Sequence, residues 1–216
     1  MKQRFDLLVF DWDGTLFDSI DWIVLSLQQA ARENGLPIPD PSAAKSVIGL
    51  SIAEAMYGLF PGVEASRVER LIEVYRRHYE SRAMGADSLF AGVSGLLERL
   101  REAGYKLAVA TGKGRDALQH ALHITDTSHL FDAWRTAEET ASKPRPDMLL
   151  QLMDELAVSA ERTLMIGDSV HDLRMARNAG AESIGVACGA NSRDELLALE
   201  PLLCLEHTVE LGAMLV

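Results

Sequence analysis

The sequence predicts an α/β protein: a doubly wound, Rossmann-like parallel sheet with an all-helical segment inserted after its first strand. Three observations carry this. Short, continuous apolar runs recur along the chain, as in strands buried on both faces of a parallel sheet. Helical patterns alternate with those runs, which is the rhythm of βαβ units. One long stretch, from Phe17 to Met84, shows no strand pattern.

The first run, Phe5–Phe10 (FDLLVF), reads as a buried strand. Ile20–Asn34 follows as an amphipathic helix stopped at Gly35. Pro37, Pro39 and Pro41 read as a turn region, and Ser51–Phe60 and Glu64–Arg82 as further helices. Residues 17–85 are therefore expected to form a helical unit of their own, with residues 1–16 and 86–216 forming the sheet-bearing core. Two connecting strands, Phe17–Ser19 and Gly85–Phe90, would hinge one to the other. In the core, a helix over Val93–Ala103 ends at Gly104 and leads to a strand at Lys106–Ala110 (KLAVA). A helix over Arg115–Leu122 follows Gly114, and one over Pro146–Leu156 starts with proline at a favourable first position. The strand Thr163–Ile166, a helix over Leu173–Ala179 stopped by Gly180, and the strand Ser183–Ala187 complete the pattern.

Composition fits this architecture. A chain of 216 residues, 48% apolar and 25% charged, can bury about 70% of its unfolded surface without a disulfide or structural metal. Its 21 basic and 32 acidic residues give a formal charge of −11. Such a surface repels nucleic-acid phosphates and anionic lipid, so neither nucleic acid nor a membrane is an expected partner. Cys188 and Cys204 sit among apolar residues and read as small buried side chains. No 18-residue apolar run occurs, and Asp6 and Asp11 interrupt the N-terminal apolar stretch. The expectation is a cytoplasmic protein with no transmembrane helix and no signal peptide.

Four short segments carry chemistry. Asp11 and Asp13 follow the first strand directly and, two apart in extended chain, project to one side. Gly14 lets the chain turn away behind them. By itself an Asp-x-Asp reads as a solvated acidic turn. Thr111-Gly112-Lys113-Gly114 offers a hydroxyl and glycine amides before a helix, which suits a phosphate. Lys143 precedes Pro144, which holds it out of helical geometry in a loop. Asp168 and Asp172 are four apart and share a face where a helix begins between them. Acids there complement the helix dipole, and they also suit a hard cation such as Mg²⁺. Each signal is modest alone, but in the order Asp-x-Asp, Thr, Lys, Asp-x-x-x-Asp they would converge on one edge of one sheet.

DWDGT, ATGK, SKPRPD and GDSVHD together resemble the four motifs of the haloacid dehalogenase superfamily of aspartyl phosphotransferases. The helical insert resembles its C1 cap, and the phosphoglycolate phosphatases are the most similar subgroup. The likeness runs from Phe5 to Gly189. Many members of that subgroup carry Asn where this chain has Gly112, so a side-chain contact to substrate is missing here.

The resemblance implies a phosphatase acting on a small phosphorylated metabolite, phosphoglycolate-like or a sugar phosphate, as a monomer or homodimer. Asp11 would attack phosphorus and form an aspartyl-phosphate. Asp13 would protonate the leaving alcohol and then activate water. Mg²⁺ would be held by Asp11, the main-chain carbonyl of Asp13, and Asp168, with Asp172 ordering the metal's waters. Thr111, the Gly112 amide and Lys143 would bind the phosphate. Dehalogenases of the superfamily lack the second Asp, so Asp13 favours phosphate chemistry. Asp21, Lys45, Ser46, Ser51 and Arg76 are candidate specificity contacts from the insert, each also readable as a solvated helix residue. His171 is expected to order its loop, and His120 and His123 to lie on a helix surface. A mutase resembling β-phosphoglucomutase would share all four motifs. A non-enzymatic phosphoacceptor module would share the acidic pocket, Thr and Lys, but on a chain near half this length and without the insert.

Overall fold

The computed structural model describes residues 4–216. Six strands form one sheet: β1 (Leu7–Phe10), β2 (Lys106–Thr111), β3 (Ala133–Thr136), β4 (Thr163–Gly167), β5 (Glu182–Val186) and β6 (Leu203–Leu205). Their order is β3-β2-β1-β4-β5-β6 and every neighbouring pair is parallel. The period-two geometry of a strand sorts their side chains between two helical layers. Leu8, Phe10, Leu107, Val109, Leu164 and Ile166 face one layer, which includes α5 (Val93–Glu102) and α6 (Arg115–Ile124). Leu7, Val9, Ala108, Ala110 and Met165 face the other, built by α7 (Asp147–Glu155) and α8 (Val170–Ala179). Both faces of the central strands are thus dry, which accounts for their continuous apolar runs.

Between β1 and α5 lie four helices: α1 (Ile20–Glu33), α2 (Pro41–Ser46), α3 (Ile52–Leu59) and α4 (Ala65–Glu80). Ile20, Ile23, Val24, Leu27 and Ala31 of α1 fall at helical spacing and pack with Met56, Val68 and Leu71 in an apolar cluster largely of their own. Asp40 and Ser51 cap α2 and α3 by accepting hydrogen bonds from the amides of Ala43 and Glu54.

Several expectations need correction. Pro41 does not close a turn; it occupies the first position of α2, where its missing N–H costs nothing. Phe17–Ser19 and Gly85–Phe90 are not strands. They make only isolated bridges, Asp13 to Phe17 and Phe17 to Leu89, beside a 3-10 turn at Ala86–Ser88. These segments nevertheless run side by side, with Asp18 N donating to Ser88 O at 2.8 Å and Phe90 N to Leu16 O at 3.0 Å. β3, β6 and the short helices α9 (Arg193–Leu197) and α10 (Gly212–Leu215) have no counterpart in the sequence reading. α8 begins three residues earlier than expected, because Ser169 and Asp172 form a reciprocal capping box. Cys204 is buried as expected, whereas Cys188 is only partly so, its thiol 3.4 Å from the carbonyl of Gly14.

The insert touches the core at several points. Ser51 N donates to Ser142 Oγ at 2.9 Å, and His171 Nε2 lies 3.0 Å from the carbonyl of Ser46. Gly112 receives the loop at 49–50 so closely that a Cβ there would lie 2.3 Å from the carbonyl oxygen of Leu50 and 2.6 Å from that of Gly49. The absent side chain at 112 is therefore the space that this loop fills. Gly112→Ala is expected to lower unfolding free energy by about 1–3 kcal/mol, the usual cost of overpacking. Denaturant unfolding measures this, and unchanged stability would mean that the loop moves aside freely.

Candidate active site

The strand order reverses direction of progression between β1 and β4, and ligands of open α/β sheets bind beyond the strand carboxyl ends at such a point. Asp11 follows β1 and Asp168 follows β4, so the switch point places them together. Asp172 joins them from the first turn of α8. Ligand oxygens of Asp11, Asp168 and Asp172 lie within 4.8 Å of one another, and all three residues are buried.

Lys143 enters this cluster from the loop after β3. Its Nζ lies 2.8 Å from Asp11 Oδ1 and 2.6 Å from Asp172 Oδ1, with the side chain wholly shielded from solvent. The convergence of four motifs therefore uses β3, a strand the sequence reading lacks, while the expected strand at 183–187 carries none of the four. Each carboxylate is also fixed by neutral donors. Trp12 N donates to Asp11 Oδ1 at 2.7 Å. Thr15 Oγ1 and Ala190 N donate to Asp168 at 2.8 and 2.7 Å. Ser169 Oγ and N donate to Asp172 Oδ2 at 2.6 and 3.1 Å. Two glycines admit this crowding. A Cβ at Gly14 would lie 2.2 Å from Asp168 Oδ2, and one at Gly189 only 2.0 Å from it.

The electrostatics follow from burial. Desolvation, then the Asp172 and Asp168 carboxylates, push Asp11 well above the ordinary carboxylate range against the pull of Lys143. Desolvation and Asp172 push Asp168 up to about 7, against the hydrogen bonds from Ala190 and Thr15. Burial alone would lower the Lys143 ammonium, but Asp11 and Asp172 override it and hold it above the usual lysine value. Three carboxylates and one ammonium leave a local charge of −2 when all are ionised. A divalent cation balances that charge, and an all-oxygen carboxylate set suits a hard cation. The residues thus fit a metal ion of that kind. Asp172, expected only to order the metal's waters, stands as close to this cluster as Asp11 and Asp168 do.

Asp13 points elsewhere. Its carboxylate accepts from Ser19 Oγ at 2.7 Å and from Tyr79 Oη of α4 at 3.3 Å, and Lys113 Nζ lies 2.9 Å from its Oδ2. Lys113 also donates to Tyr79 Oη at 3.0 Å and lies over the Tyr79 ring, 4.5 Å from its centroid. Burial works against the Lys113 charge, but Asp13, Tyr79 and Tyr75 raise its pKa above the ordinary lysine value. The Asp13 carboxylate is therefore engaged by Ser19, Tyr79 and Lys113 rather than by the acidic cluster. Thr111 is buried at the end of β2, with its Oγ1 accepting from Lys113 N at 3.2 Å, and Gly112 follows at the cavity wall.

The sequence reading gives Lys113, Tyr79 and Ser19 no role. Lys113 sits inside a quoted motif and two residues beyond Thr111, which was a usable signal. Tyr79 lies on a distant helix and gave none. Of the candidate contacts from the insert, Ser46 and Ser51 meet the core through main-chain atoms, and Arg76 lies 3.6 Å from Glu138 across the cavity mouth. Asp21 and Lys45 line no part of the cavity. Trp12 is fully buried beside Phe17 and Phe131 in the core. Among the described residues, no helix is long and apolar enough to cross a membrane.

Comparison with known proteins agrees with this geometry. The family model described as haloacid dehalogenase-like hydrolase matches residues 8–186. A protein of Dickeya dadantii named as a probable phosphatase, IndB, is 35% identical over 199 residues, covering 90% of this chain and 86% of its own. A protein of Pseudomonas aeruginosa named as a 5'-nucleotidase is 31% identical, covering 92% of this chain and 90% of its own. A hydrolase from Pseudomonas syringae shares the fold with a TM-score of 0.86 at 25% identity, covering 95% of each chain. With its motifs gathered at the switch point and the family model spanning most of its length, this chain belongs to the haloacid dehalogenase-like hydrolases.

Proposed function

We propose that this chain is a Mg²⁺-dependent phosphatase that hydrolyses a small phosphomonoester through an aspartyl-phosphate on Asp11. The observation that supports it best is the buried Lys143 ammonium shared by Asp11 and Asp172. It sets a fixed positive charge where a phosphoryl group would meet the nucleophile. The relatives named as a phosphatase and a 5'-nucleotidase support the same reaction class.

Lys143 and Trp12 N both engage Asp11 Oδ1, so neither of them holds Oδ2, the oxygen that would attack phosphorus. Thr111 Oγ1 and the Gly112 amide would bind phosphate oxygens, and Lys143 would neutralise charge as it develops on them. Asp13 would give its proton to the leaving alcohol. Lys113 then stabilises the carboxylate that remains, and the same carboxylate takes a proton from the water that hydrolyses the intermediate. Asp11, Asp168, Asp172 and the Asp13 carbonyl are the groups that would hold Mg²⁺. When bound, the ion supplies positive charge that lets an anionic ester approach these acids. The helical unit over 17–85 would serve as a cap that shuts water out of the cavity. Small phosphorylated metabolites from a reducing, cytoplasmic compartment are the fitting substrates.

Phosphate release from Asp11→Asn is expected to fall to the uncatalysed background. Near-wild-type release from that variant would falsify the nucleophile assignment. Asp13→Asn should lower kcat by about 10²–10⁴-fold, the range for general acid–base help. A loss below tenfold in steady-state assays would count against that role. Removing the metal with EDTA should stop turnover. Mg²⁺ at a hundred times its Kd should raise the melting temperature by about 5–10 °C, a gain that Asp168→Asn should abolish. Calorimetry reads this without reference to activity, and an unshifted wild type would argue against the metal site.

A further inference from the structure

The cavity that begins at Asp11 and Asp13 continues well past the place for a phosphoryl group. It encloses about 510 Å³ between the insert and the core. That lies within the range of pockets that bury a drug-sized ligand, and it exceeds what a two-carbon acid needs. On the insert side its wall has an aliphatic stretch, from Ile23, Leu27, Val47, Ile48, Ile52 and Met84, beside the α4 side chains Tyr75, Arg76, Tyr79 and Glu80.

Charge along the cavity is one-sided. Asp11, Asp13, Glu80, Asp116 and Glu138 line it, against two lysine or arginine side chains, Lys113 and Arg76. Both cations are already engaged. Lys113 is paired with Asp13 at 2.9 Å and bound to Tyr79. Arg76 faces Glu138 at 3.6 Å, with both side chains more than half exposed. The remaining basic side chain, His120, is exposed on α6. A second anionic group entering this space meets the buried Asp11 and Asp13 carboxylates and no uncommitted cation, and an unpaired buried carboxylate is costly. A sugar fares poorly for a related reason, since the aliphatic stretch leaves the hydroxyls that face it without partners.

We infer that the phosphomonoester taken by this chain carries a neutral, largely apolar leaving group seated against the aliphatic wall of the insert. Phosphoglycolate-like and sugar phosphates are then poor substrates. This inference rests on the phosphatase reading above and narrows it. Ile52, only partly buried, is a wall residue whose change bears on leaving-group choice.

The test is kcat/KM, with Mg²⁺ present, for ethyl, butyl and hexyl phosphate alongside 2-phosphoglycolate, glucose 6-phosphate and phosphoethanolamine. Simple primary alcohols differ little as leaving groups, so the alkyl series isolates burial. Each methylene buried on the wall should raise kcat/KM by roughly fourfold. Hexyl phosphate should exceed 2-phosphoglycolate by at least about a hundredfold. In Ile52→Asn the hexyl-to-ethyl ratio should fall by about tenfold or more, and hexanol should inhibit the wild type more strongly than glycolate does. A flat alkyl series, or a panel led by 2-phosphoglycolate, glucose 6-phosphate or phosphoethanolamine, would overturn this inference and leave the phosphatase reading standing. No Mg²⁺-dependent release from any of the six esters would overturn the phosphatase reading, and this inference with it.

Discussion

Everything at the sheet's carboxyl edge depends on one buried ammonium. Three carboxylates within 4.8 Å of one another repel, and burial removes the water that would screen them. Lys143 pairs with two of the three at once by lying between Asp11 and Asp172. Asp168 has no such direct ion pair. Two neutral donors hold it instead, while burial and the Asp172 carboxylate push its pKa up to about 7. The cluster is thus built with a deficit of positive charge that folding alone does not remove. An all-oxygen carboxylate set with such a deficit suits a hard cation. On the proposed reading, that cation would let a chain of net charge −11 receive an anionic substrate, because attraction is concentrated at a single point.

The topology makes that concentration possible. β1 lies between β2 and β4, so the residues following those three strands share one edge. Asp11, Thr111 and Asp168 are separated by long stretches of chain, yet each needs only to follow its own strand to reach the site. Lys143 comes from the longer loop after β3 and reaches inward beneath them. Gly14 and Gly189 complete the arrangement by withholding side chains at the points where Asp168 is packed most closely.

Much of this was legible in the sequence because it is written locally. A parallel strand buried on both faces is an unbroken apolar run, and Leu7–Phe10 and Thr163–Gly167 are such runs. The motif residues follow those strands directly. The rest depends on contacts between distant segments. Ala133–Thr136 sits at the sheet edge, is only half buried and contains Arg135, so its pattern is weak. Leu203–Leu205 at the opposite edge has three residues, too few for a period. Pro41 is compatible with a turn and with a helix start, and only the Asp40 cap distinguishes them. The grip of Tyr79 and Lys113 on Asp13 joins three segments that no spacing rule connects. Gly112 shows the same limit. As a sequence feature it is a missing side chain, whereas in three dimensions it is the seat of the loop at 49–50.

The paired hydrogen bonds between Leu16 and Phe90 and between Asp18 and Ser88 mean that the chain leaves the sheet and returns to it at nearly the same place. Topologically the helical unit is a closed loop hung from one clasp. The entropy of closing such a loop grows only with the logarithm of its length, about 0.6 kcal/mol for each doubling. A longer, shorter or differently folded unit could replace this one with little penalty to the sheet beneath. The sheet edge that carries the acids and the helical unit hung beside it are thus separable modules. The unit is free to be exchanged at the clasp, while the carboxylates and their lysine stay where the strands put them.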